Sequence, residues 1–185
     1  MRQLPNIITL ARLFAVPVVI WAIATGETAI AFWTFAVAGV SDAIDGFLAK
    51  RLSLQTELGA YLDPIADKAL LVSIYVALGV VGGIPVWLAV LVVARDVLIV
   101  GAVILSVLML RPVPMRPLPV SKVNTMTQIV LAAVVLGDQT FAIGLETPEA
   151  LLEWAVAGLT IASAGAYLVD WLGHMGAGGP AEPGA

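Results

Sequence analysis

The feature that most limits what this chain can become is the regular return of apolar runs about as long as a bilayer is thick. Six of them, near 6–24, 28–46, 63–83, 85–109, 121–138 and 150–172, follow one another with only short interruptions. A helix needs ~20 apolar residues to cross ~30 Å of hydrocarbon, so six crossings and their turns account for nearly all of the 185 residues. Composition agrees, with 61% hydrophobic and 12% charged residues and a mean hydropathy of +1.02, where soluble domains carry ~25% charge. The expectation is an all-α, polytopic membrane protein with six transmembrane helices. It comprises one domain over 1–173 and a disordered Gly/Ala/Pro-rich tail over 174–185. Turns are expected at Gly26-Glu27-Thr28, across Lys50 to Glu57, at Gly82-Gly83-Ile84-Pro85, through Arg111 to Pro117, and at Gly137-Asp138-Gln139. No internal repeat is visible.

Charge placement gives an orientation. Arg2, Lys50, Arg51, Arg111, Arg116 and Lys122 fall on one side of a six-span arrangement, and the opposite loops hold only acids such as Glu27, Asp138, Glu146 and Glu149. Short cytoplasmic loops collect lysine and arginine, so both termini are expected in the cytoplasm. Arg12 and Pro17 interrupt the first run and argue against a cleaved leader peptide. The absence of cysteine excludes disulfides, thiolate metal sites and a cysteine nucleophile.

Against this background the stretch from Ser41 to Leu70 is costly, because it holds Asp42, Asp45, Asp63 and Asp67. At about 100° per residue, the i,i+3 pair Asp42 and Asp45 shares one helix face, and the i,i+4 pair Asp63 and Asp67 shares another. Gly46 and Gly59 each lie one turn from an aspartate, where a missing side chain lets a ligand or a backbone come close. Two carboxylates ~4 Å apart at an effective dielectric of ~20 repel by on the order of 4 kcal/mol. Protonation, salt bridges or divalent cations are the possible remedies. Lys50, Arg51 and Lys68 are too few, and mostly off the stripe, so bound metal is the better answer. An all-oxygen ligand set suits magnesium or manganese. Taken singly, each acid could instead form an ion pair or cap a helix, as Asp63 before Pro64 could.

The pattern Asp42-x2-Asp45-Gly46-x2-Ala49-Lys50-x8-Gly59-x3-Asp63-x3-Asp67 resembles the signature of the CDP-alcohol phosphatidyltransferases. Seven of its eight fixed positions match, Lys50 standing where the family has arginine. The start Pro5-Asn6-Ile7-Ile8-Thr9-Leu10-Ala11-Arg12 and the stretch Leu62 to Lys68 are similar to the branch that makes phosphatidylglycerophosphate and cardiolipin. The resemblance implies six transmembrane helices and a homodimer in a bacterial inner or cell membrane, with the active site facing the cytoplasm. It also implies two Mg²⁺ or Mn²⁺ ions held by Asp42, Asp45, Asp63 and Asp67, with Asp67 also the general base. Gly46, Lys50 and Gly59 would line the CDP site. The reaction implied is phosphatidyl transfer from CDP-diacylglycerol to an alcohol with release of CMP, and no nucleic acid is involved.

For the acceptor, Arg95 and Asp96 lie within the fourth run, where charge is expensive and usually functional, and Arg111, Arg116 and Lys122 cluster at one end of runs four and five. They point to a phosphate-bearing acceptor, either phosphatidylglycerol or glycerol 3-phosphate. The bland alternative is a structural Arg95–Asp96 pair, with loop basics that only set topology. The segments 94–97, 121–125 and 162–167 are most similar to CMP-forming cardiolipin synthases, and phosphatidylglycerol is therefore the first expectation. A polyprenyl transferase would carry a second aspartate-rich motif, and a non-enzymatic transporter would place acids at mid-membrane, often in repeated halves. Neither feature is present in the sequence. His174, at the end of the last run, reads as an interfacial residue rather than a ligand.

Overall fold

A computed structural model describes residues 4–52, 57–108 and 118–176; the side chains described are those of 10–41, 66–102, 104–106, 108 and 118–173. The described residues form six α-helices: α1 Leu4–Thr25, α2 Thr28–Leu52, α3 Glu57–Val81, α4 Val86–Leu108, α5 Pro119–Phe141 and α6 Glu146–Gly176. No strand occurs among the described residues.

Local chemistry sets the turns at one end of the bundle. After α1, Gly26 takes φ +78°, so that its N–H reaches Ile23 O at 3.2 Å and the Glu27 N–H reaches Ala22 O at 2.8 Å. Gly82, at φ +79°, ends α3 in the same way, with the Gly83 N–H on Leu78 O at 2.8 Å. Both are helix stops that need a left-handed residue. The α5–α6 turn is held by Asp138, whose Oδ1 accepts the Gly144 N–H at 2.7 Å and the Leu145 N–H at 3.0 Å. Gly137-Asp138-Gln139 is therefore not a break, since α5 runs through it to Phe141. Gly137 serves packing instead, because a Cβ there would lie 3.4 Å from the Phe32 ring on α2.

Two further boundaries differ from the apolar pattern for one physical reason. The runs mark where hydrocarbon ends, whereas a helix continues for as long as its residues favour it. Ala49, Lys50, Arg51 and Leu52 are good helix formers, so α2 extends six residues beyond its run to Leu52, and α3 starts six residues early at Glu57. At 1.5 Å per residue, 25 residues span ~37 Å, longer than ~30 Å of hydrocarbon. Of the tail expected over 174–185, residues 174–176 extend α6 and the others lie outside the described residues.

The helices close into a ring in which neighbours pack in the order α1, α2, α5, α6, α4, α3 and back to α1, with α3 also touching α5 across it. Leu70, Ile74, Leu78, Leu88, Leu131 and Val135 form the centre. Small residues bring the seams close: a Cβ on Gly79 would meet Ala89 Cβ at 2.9 Å, as expected where dispersion and close backbone approach, rather than water exclusion, hold helices together. The outside is apolar, with Phe14, Val80, Trp154 and Val169 all exposed. Val86–Ser106, Pro119–Phe141 and Glu146–Gly173 are long and apolar enough to cross a membrane, and Leu10–Thr25 and Thr28–Ser41 are shorter apolar helical stretches.

Candidate active site

Asp67 is the member of the aspartate set whose side chain is described. The side chains of Asp42, Asp45, Asp63, Gly46, Lys50 and Gly59 lie outside the described residues, although the helical backbone of α2 and α3 runs unbroken through all six positions. Arg111 and Arg116 lie outside them altogether.

Asp67 is 47% exposed at its side chain, and its Oδ1 accepts from Nη1 of Arg12, which is 4% exposed. Arg12 reaches it because α1 buries one face against α3. Arg12, Val19 and Ile23, at i, i+7 and i+11, fall on that face and are buried. The arginine stem is thus packed in the bundle while its head meets a carboxylate, which offsets the cost of a cation at this depth.

The next residue begins a second chain of charges. Lys68 Nζ lies 2.8 Å from Asp96 Oδ1, and that oxygen also accepts from Arg95 Nη1 at 2.5 Å. Arg95 is 5% exposed; its Nη2 donates to Ser121 Oγ at 2.5 Å and Ser163 Oγ at 2.6 Å, and its guanidinium carbon stands 5.7 Å from the centre of the Tyr167 ring. The Tyr167 hydroxyl accepts the Leu118 N–H at 3.4 Å. Segments 94–97, 121–125 and 162–167 thus converge on one buried guanidinium that ties α4, α5 and α6 together and hands Asp96 on to α3. Lys122, one residue after Ser121, is exposed and is not part of this network.

Both sets of charges border a cavity of about 400 Å³ lined by Arg12, Asp67, Lys68, Asp96, Gln128 and Gly39, among others. Gly39 lies one turn before Asp42 on α2, so both aspartate-bearing helices border the same space. They do not pack on each other among the described residues; each packs on α1 instead. The four aspartates of α2 and α3 would supply an oxygen-only donor set, which fits hard divalent cations. Among the described residues no three metal-ligating side chains cluster, because Asp67 is the one of the four with a described side chain. The sequence alone missed the pairing of Arg12 and the place of Lys68. The available signal was that Arg12 is the lone charge within an otherwise apolar first run.

The profile of the CDP-alcohol phosphatidyltransferases matches residues 2–164. This chain belongs to that family. It is 34% identical over 189 residues to the chloroplastic CDP-diacylglycerol–glycerol-3-phosphate 3-phosphatidyltransferase 1 of Oryza sativa, an alignment covering 91% of this chain and 57% of the rice protein. It is 32% identical over 180 residues to the CMP-forming cardiolipin synthase of Rattus norvegicus, covering 89% of this chain and 60% of that one. With the CDP-diacylglycerol–glycerol-3-phosphate 3-phosphatidyltransferase of Rickettsia felis it shares 30% over 171 residues, covering 90% and 93%. The chain thus spans little more than half the length of the rice and rat relatives. Its long apolar helices make it an integral membrane protein.

Proposed function

We propose that the chain transfers a phosphatidyl group from CDP-diacylglycerol to phosphatidylglycerol, giving cardiolipin and CMP. The observation that carries this reading is Asp67, held by Arg12, at the rim of a cavity that also holds Lys68 and Asp96. An acceptor hydroxyl in that cavity loses its proton to Asp67 as its oxygen forms a bond to the phosphatidyl phosphorus. The bond from that phosphorus to the oxygen bridging it to CMP breaks, and CMP leaves. The role of Arg12 is to hold the Asp67 carboxylate at the cavity rim. Asp42, Asp45 and Asp63, with Asp67, would hold two Mg²⁺ or Mn²⁺ ions. These supply positive charge that screens the pyrophosphate from the carboxylates and stabilises departing CMP. Gly46, Lys50 and Gly59 face the CDP moiety. On the acceptor side stand Arg111, Arg116 and Lys122, with Arg95 acting through Asp96.

Six transmembrane helices over 1–173 form the catalytic unit in this reading, in a bacterial cell membrane, as a homodimer, with both termini and the active site cytoplasmic. Lysine and arginine placement supports that orientation. Glycerol 3-phosphate is the second reading of the acceptor, favoured by the names of the rice and Rickettsia relatives. Competition between the two acceptors for labelled CDP-diacylglycerol decides between them: cardiolipin as the dominant product supports the first, and phosphatidylglycerophosphate the second.

Two substitutions probe the assigned roles. Asp67→Asn is expected to lose turnover far more than CDP-diacylglycerol binding, since a base is missing where one ligand of several is weakened. Equal losses in an equilibrium binding assay and in kcat make Asp67 chiefly a ligand. Lys50→Arg is expected to keep or improve apparent affinity for CDP-diacylglycerol, because a planar fork meets phosphate oxygens bidentately, and Lys50→Ala to weaken it about tenfold. If Arg51→Ala shows the larger loss in KM, Arg51 holds that role.

A further inference from the structure

We propose that Lys68 receives the phosphate of a lipid acceptor, which enters the cavity sideways through a cleft between α2 and α5; the assignment rests on the phosphatidyl-transfer reading above. Among the described residues, three cations lie in or behind this cavity. Arg12 is 4% exposed and engaged by Asp67. Arg95 is buried behind Asp96 and engaged by Asp96, Ser121 and Ser163. Lys68 is 50% exposed, and its ion pair is with Asp96. When Lys68 turns to a phosphate, Asp96 keeps Arg95, so no acid is left without a counter-charge. Lys68 and Asp67 line the same cavity, so a phosphate on the Lys68 ammonium keeps the hydroxyl of the attached glycerol within that space, beside the proposed base.

The route follows from how α2 and α5 meet. Away from the cavity they touch, with the Thr28 hydroxyl donating to Gln139 O at 3.3 Å and Phe32 against Gly137. Beside the cavity the wall is made by Gly39, Met126 and Ile129. All three are exposed on the outer surface, Met126 by 67%, and a Cβ on Gly39 would meet nothing within 4 Å. This rim is apolar and faces the hydrocarbon, which suits an acyl chain and gives nothing to a water-borne polyol phosphate. On the other side of α2 a second groove of about 440 Å³, lined by Trp33, Val37 and Ser41, shares Arg12 and Ala38 with the cavity. Two bilayer-open grooves therefore flank α2 and meet at Arg12, as a reaction between two lipids requires. The α1–α2 groove is left for the donor's chains.

Purified protein assayed with CDP-diacylglycerol and phosphatidylglycerol in mixed micelles tests the assignment. Lys68→Met is expected to raise the KM for phosphatidylglycerol by about tenfold with kcat and the KM for CDP-diacylglycerol nearly unchanged, and Lys68→Arg to recover most of the loss. Gly39→Leu, which fills the cleft, is expected to raise the same KM and to leave that of CDP-diacylglycerol alone. An unchanged phosphatidylglycerol KM in either Lys68→Met or Gly39→Leu overturns the proposal. A rise confined to CDP-diacylglycerol overturns it too, and gives the cleft to the donor. Wild-type protein that uses glycerol 3-phosphate and not phosphatidylglycerol removes the lateral route. Wild-type protein that releases no CMP with either acceptor overturns the transfer reading itself, a result distinct from an active enzyme insensitive to Lys68.

Discussion

Asparagine at Asp42, Asp45 or Asp63 is expected to lower CMP release by about a thousandfold or more while leaving the protein folded in the membrane. The amide keeps the size and one oxygen of the side chain but removes the charge that holds a divalent cation. A metal supplies several kcal/mol of charge stabilisation in the transition state, and ~4 kcal/mol corresponds to about a thousandfold in rate. Asparagine matches aspartate in shape and volume, so the substitution opens no cavity and introduces no clash, and the helices are expected to keep their packing. Initial rates at saturating Mg²⁺ or Mn²⁺, alongside a thermal melt in detergent, check both halves. Substantial activity in any one variant contradicts a site built from all four carboxylates.

Arg95→Met is expected to act on stability first. Removing the guanidinium leaves Asp96 without its 2.5 Å partner and strips Ser121 and Ser163 of their shared donor. Lys68 still pairs with Asp96, so the cost falls at the lower end of the ~3–5 kcal/mol for breaking a buried charge pair from one side. In a chain of this length each kcal/mol moves Tm by ~2–4 °C, so a fall of about 6–12 °C is expected at the lower end of that cost. Ser163→Ala, which removes one hydrogen bond worth ~1 kcal/mol, should move Tm by only a few degrees. Arg95→Met should also raise the acceptor KM, since Asp96 then holds Lys68 alone. An unmoved Tm contradicts the account of Arg95 as the tie between α4, α5 and α6.

Much of this was legible in the sequence. The apolar runs predicted six helices, and the described residues form six, because an extended apolar stretch that cannot leave its backbone unpaired in lipid has few alternatives. The aspartate spacing gave the two helices of the candidate site. What the runs could not supply was where helices stop outside the hydrocarbon, since Ala49 to Leu52 and Glu57 to Asp63 keep helical backbone without keeping apolar character. Gly137-Asp138 looked like a turn because glycine and aspartate favour turns in general. Here one admits Phe32 and the other caps the start of α6, and both roles depend on a neighbour remote in sequence. The pairings of Arg12 with Asp67 and of Lys68 with Asp96 were hidden for the same reason. Each joins helices through tertiary contact, and a single chain records only that a charge stands in an unusual place.

The central claim is tested most directly by CMP release. Purified protein in mixed micelles with CDP-diacylglycerol and phosphatidylglycerol is assayed with Mg²⁺ or Mn²⁺ and again after chelation. The account predicts CMP in step with cardiolipin, abolished by chelator and restored by adding back metal. CMP release that survives chelation, or none with either phosphatidylglycerol or glycerol 3-phosphate in the presence of either metal, contradicts it.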